Sequence, residues 1–114
     1  MWDYFRHTQQ SQYFTPTIYF TEASRMDTSN PWVAMGAKAE LHWDPRKADA
    51  LFLGGMDWLA VPDDCTVPVI NLVQHVRHGD ATDPRYAFLC RRAMRLCVSK
   101  EVEIAILSTG KVNG

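Results

Sequence analysis

Residues 67–79 read VPVINLVQHVRHG, and this stretch decides the fold. Its first seven residues are apolar or β-branched apart from Pro68 and Asn71, and no helical spacing of polar residues interrupts them, so the run predicts a buried strand. The character then changes. Gln74, His75, Arg77 and His78 bring an amide, two imidazoles and a guanidinium to the carboxyl end, where open α/β sheets place their ligands. A binding site is expected there.

Working outward, residues 48–53 (ADALFL) form a second candidate buried strand, closed by Gly54 and Gly55. A glycine pair at a strand end permits a tight turn or close approach of backbone to a ligand, and residues 56–60 can open a helix behind it. The pair lacks the spacing of a dinucleotide fingerprint or a phosphate loop. After a polar loop over 79–84, Asp83-Pro84 starts a predicted helix whose inner stripe is Tyr86, Leu89, Cys90 and Ala93, with Arg85, Arg91 and Arg92 outside it. Residues 96–98 (LCV) predict one more strand. Ser99 caps a helix with Val102, Ala105 and Ile106 inside, stopped at Gly110. Upstream, the pattern predicts a short helix over 2–12, a strand over 17–20 (TIYF), a loop over 21–32, a helix over 33–37 capped by Ser29 or Asn30, and a strand over 40–43. Strands alternating with helices over short connections predict an α/β fold, a Rossmann-like parallel sheet with helices on both faces.

The 114 residues suit one domain, and 46% hydrophobic content fills one core. Twelve basic against thirteen acidic residues give a net charge of -1, which argues against a nucleic-acid partner. Cys65, Cys90 and Cys97 are odd in number and far apart, as reduced packing thiols are, and no apolar run approaches the ~20 residues of a membrane span. The expected compartment is cytoplasmic. His75 and His78 find no third ligand at a persuasive spacing, so neither a metal nor a cofactor is expected. No serine or cysteine elbow is present. The strand-end cluster can hold a hydroxylated or anionic ligand, or simply tie down the loop that follows.

The succession NPW, ADALFLGGMDW, PVINLVQHVRH, DPRYAFLCRRAMRLCVS and TGKVNG resembles the amino-terminal domain of family 4-like glycosyltransferases of the GT-B fold. There, one strand ends in a histidine and a later one in a serine that begins a helix; Gln74-His75 and Val98-Ser99 match these features. The resemblance spans the chain from about Thr17 onward. It implies an acceptor-side fragment, residues 1–114 forming one partial Rossmann-like domain without its first strand or the second, donor-holding domain. The implied partners are a sugar acceptor and a nucleotide-sugar donor, the donor held mainly by the missing domain, so the chain alone is expected to be inactive. His75 would be the catalytic residue facing the interdomain cleft, with Gly54, Gly55 and Arg77 lining the acceptor site. A missing central strand would leave amides unpaired, from which pairing with another copy is expected. The alternative is a non-catalytic Rossmann-like binding or interaction module.

Overall fold

The computed structural model describes residues 1–21, 24–40 and 42–114. Contacts divide the chain into two compact units, Met1–Asp44 and Pro45–Gly114.

In the first unit, α1 (Trp2–Gln9) and α2 (Pro31–Ala34) are the regular elements among the described residues. Asn30 caps α2, its side-chain oxygen accepting from the Trp32 amide at 3.0 Å, with Pro31 at the first helical position, where a missing amide costs nothing. Trp32 meets the rings of Trp2 and Phe5 edge-on, with centroids 5.0 and 4.8 Å away. The expected strand at 17–20 does not form. Its β-branched and aromatic residues gain one backbone bond, the Glu40 amide to the Ile18 carbonyl at 2.7 Å, and without a ladder strand propensity alone has nothing to pair with. The strand expected over 40–43 includes Leu41, which lies outside the described residues; Glu40, His42 and Trp43 are not in a strand.

The second unit is α/β. Strands β1 (Leu51–Gly54), β2 (Val69–Val73) and β3 (Met94–Cys97) form a parallel sheet in the order β1-β2-β3, followed by α3 (Lys100–Leu107). Leu53 lies opposite Asn71, and Asn71 opposite Arg95. The middle strand is the deciding stretch of the sequence, and Asn71, Leu72 and Val73 are buried within it. Asn71 is tolerated there because its side-chain amide donates to the Leu53 carbonyl at 3.2 Å. Val73 packs with Leu89, Val102 and Ile106, so the sheet is bound to α3 and the 84–90 segment through one apolar cluster. Burying each such side chain contributes about 1.5–3 kcal/mol. Ser99 caps α3 by accepting from the Val102 amide at 3.3 Å, and Gly110 follows the helix at φ +68°, a left-handed conformation that glycine adopts without strain.

Two expected α-helices are 3-10 segments instead, Gly55–Ala60 and Pro84–Cys90. Of the four stripe residues of the latter, Leu89 and Ala93 are buried and Tyr86 half-buried, whereas Cys90 is exposed. Arg91, read from sequence as an outward residue, turns in. Its guanidinium donates to the carbonyls of Trp58, Val61 and Pro62 at 3.1, 3.0 and 2.9 Å and lies 4.8 Å over the Trp58 ring. Arg95 lies 5.8 Å from the centroid of the same ring and donates to the carbonyls of Phe88, Leu89, Arg91, Ala93 and Asn113. Of these, the Phe88 and Leu89 carbonyls reached by Arg95 are ones that an α-helix over 84–93 would have bonded internally.

Candidate functional site at the carboxyl edge of the sheet

Because the strands are parallel, the segments that follow them emerge at one edge: Gly54-Gly55 after β1, Gln74-His75 after β2 and Val98-Ser99 after β3. The central position of β2 puts its exit between the other two. Three of the four residues singled out from sequence, Gly54, Gly55 and His75, therefore share this edge, and Arg77 lies two residues on, in the 3-10 turn Val76–Gly79.

Each is fixed locally. Gly55 has φ +54°, with nothing within 4 Å of where a Cβ would be, so the backbone requires glycine while the space beside it stays open. The Gly54 amide donates to Asp57 Oδ2 at 3.0 Å, closing the turn back on the strand end. Burial pushes the Asp57 carboxyl above its usual value, against the Gly54 bond that lowers it. His75 is exposed, yet its ring is held: Nδ1 accepts the Arg77 amide at 3.1 Å and Arg77 Nε at 3.4 Å, so the imidazole caps the turn it precedes. With Nδ1 committed as acceptor, the neutral ring carries its proton on Nε2 and presents a donor outward.

Behind this edge stands His78, only 5% exposed. Its pKa is lowered to about 4, chiefly by burial, with the charges of Arg85 and His75 adding to the effect and Asp83 opposing it. Arg85 grips Asp83 through two bonds of 2.8 Å, which hold the Asp83 carboxyl far below the usual carboxylate range. His78 is consequently a neutral side chain at physiological pH, and the Asp83-Arg85 pair anchors the start of the 84–90 segment beside it. No group of three or more metal-ligating side chains occurs among the described residues.

Two cavities of the second unit leave out Gly54, Gly55, His75 and Arg77. One is an open groove of about 1310 Å³ running along β3 and α3; the other, of about 450 Å³, lies between the 55–60 and 84–90 segments. The four residues form a surface edge. Sequence reasoning passed over Asp57 and the Asp83-Arg85 pair as neighbours of the site; Asp57, three residues past a strand-ending glycine, is where a capping carboxylate belongs, and that spacing was the available signal.

No family model, curated protein or solved structure matches the chain. The functional reading therefore rests on the geometry of the edge and on the chemistry of its side chains. No helix among the described residues is long and apolar enough to cross a membrane.

Proposed function

We propose that the chain is the acceptor-side portion of a glycosyltransferase, holding a hydroxylated acceptor at the carboxyl edge of its sheet while a nucleotide-sugar donor is bound elsewhere. The observation that carries this reading is the capped His75 ring: with Nδ1 tied to Arg77, Nε2–H is a fixed donor for an acceptor oxygen. Arg77 adds a guanidinium suited to an anionic substituent on the same ligand, and no ion pair engages it among the described residues. The open space at Gly55 leaves room for a sugar ring to approach the backbone. In this arrangement His75 positions the acceptor by donation; proton removal from the attacking hydroxyl belongs to another group.

A second reading is a binding module without catalysis, favoured by the surface setting of the four residues outside either cavity. Amide and imidazole NMR spectra of the chain, titrated with mono- and oligosaccharides and sugar phosphates, test the site. Shifts at Gly55, His75 and Arg77 that are lost in His75→Ala support it, and unmoved resonances refute it. Turnover of a nucleotide sugar in a longer protein containing this segment, reduced in His75→Ala with the fold intact, separates the enzyme from the module.

A further inference from the structure

The 3-10 turn that follows β2 is moored by a side chain that can change its charge. From Gln74 to Asp80 every residue is exposed except His78, 5% exposed, and the half-buried Gly79. The backbone bonds of the turn are local. The His78 amide donates to the His75 carbonyl at 3.2 Å and the Asp80 amide to the Arg77 carbonyl at 2.9 Å, so they close the turn without tying it to the rest of the unit. The ties are the His78 ring and the close approach of Gly79 to the Ala105 carbonyl of α3. A protonated ring is badly placed there. Its nitrogens bond no other group among the described residues. Of the charges that act on it, Arg85 on the 84–90 segment and His75 on the turn oppose a positive ring and Asp83 favours one, but Asp83 is already held by two 2.8 Å bonds from Arg85. On α3, the other element packed against the turn, Lys100 and Glu103 pair with each other at 2.7 Å and Glu101 is exposed. Arg77 and Asp80, on the turn itself, are exposed to water.

We propose that His78 is an acid-released latch on the carboxyl edge of the sheet: when its ring takes up a proton it leaves the interior and the 76–79 turn opens, while the sheet stays closed. The pairing of β2 ends at Val73, before the turn, so the opening breaks no strand pairing. It does undo the edge. His75 and Arg77 lose the geometry in which the imidazole Nδ1 accepts from the Arg77 amide and Nε, and a ligand held by the two is released. This last consequence rests on the acceptor reading above, whereas the opening itself does not. The ring's pKa of about 4 in the fold, against 6.5 for the ordinary group, lets acid multiply the open population by at most about 300-fold, and by about 20-fold between pH 7 and pH 5.

Amide hydrogen exchange followed by NMR on the whole chain from pH 7 to pH 5, corrected for the intrinsic pH dependence of exchange, tests this without any ligand. The amides to follow are those of His78 and Asp80, whose acceptors are backbone carbonyls and do not titrate. Protection at both falls about 20-fold in wild type and stays flat in His78→Gln, and at every pH it lies below that of the strand-pairing amides of Leu51 and Val98. His75→Ala keeps the fall, which separates the latch from protonation of the exposed ring. Flat protection in wild type overturns the proposal. So does turn exchange that only matches the strand amides, since the turn then opens with the whole unit, and so does a His78 ring that titrates at its ordinary value while the turn amides stay protected. Should His78→Gln fail to fold, the comparison of turn with strand amides and the titration of the His78 ring in wild type decide by themselves.

Discussion

Titration of His78 makes the stability of the second unit depend on pH in a window that few other groups share. The imidazole has an ordinary pKa of 6.5 in the unfolded chain and about 4 in the fold, lowered first by burial and next by the Arg85 guanidinium. Between those values the unfolded state binds a proton that the native state refuses, so stability rises with pH across the window and is lost as pH falls from about 6.5 toward 4. The difference of pKa values corresponds to at most about 3 kcal/mol, reached near pH 4, and about 2 kcal/mol at pH 5. Urea unfolding followed from pH 7.5 to 4.5, for wild type and His78→Gln, isolates this contribution. Asp27, Asp80 and Asp83 are all lowered, chiefly by hydrogen bonds to Ser29, Thr82 and Arg85 respectively, so their contributions fade at more acid pH, around and below the ordinary carboxylate pKa of 3.8. Asp57 is raised by burial and acts in the opposite direction, its contribution disappearing as pH rises. The Asp27, Asp80 and Asp57 contributions are common to the two proteins and cancel in the difference; Asp83, which the His78 charge also touches, titrates below the window. Wild type is expected to lose stability relative to His78→Gln steadily below pH 6.5; a difference independent of pH would show that His78 titrates normally and is not shielded from water.

Gly79→Ala places a Cβ 2.5 Å from the Ala105 carbonyl oxygen and 2.9 Å from its carbon, so the 76–79 turn and α3 must separate; a loss of about 1–3 kcal/mol by urea denaturation is expected, and an unchanged midpoint would refute the close approach. Arg95→Lys keeps the charge but cannot reach five carbonyls from one fork, and a loss of about 2–4 kcal/mol, with faster amide exchange at Ala93 and Asn113, is expected in the same assay.

The parts of the fold that show in the sequence are those where side-chain pattern and backbone pairing agree. Residues 69–73 are apolar apart from Asn71 because both faces of the central strand are covered or partly covered, and Ser99 stands where a helix needs a side-chain acceptor. The pattern misled where the helical spacing of Tyr86, Leu89, Cys90 and Ala93 coincided with a 3-10 segment. Arg91 and Arg95 there bond backbone carbonyls, and a guanidinium that binds backbone leaves no partner residue to notice in the sequence. The run into Gln74-His75 pointed to the carboxyl edge of the sheet, where the structure places these residues just past Val73, but the bond from the Arg77 backbone to Nδ1, which leaves Nε2 as the donor of the neutral ring, is a matter of turn geometry that the sequence does not show.

Among the described residues of Met1–Asp44 none is buried, while the buried apolar residues, from Leu51 to Ile106, all lie in the second unit. Ring contacts among Trp2, Phe5 and Trp32 and between Tyr19 and Trp43 contribute to the cohesion of that first unit, against an ordering entropy of about 1–2 kcal/mol per residue. Such a segment opens by local fluctuation well before the sheet does, so the chain's resistance to proteases is expected to be graded along its length, with nicking confined to the first forty-odd residues while the strands from Leu51 onward remain closed.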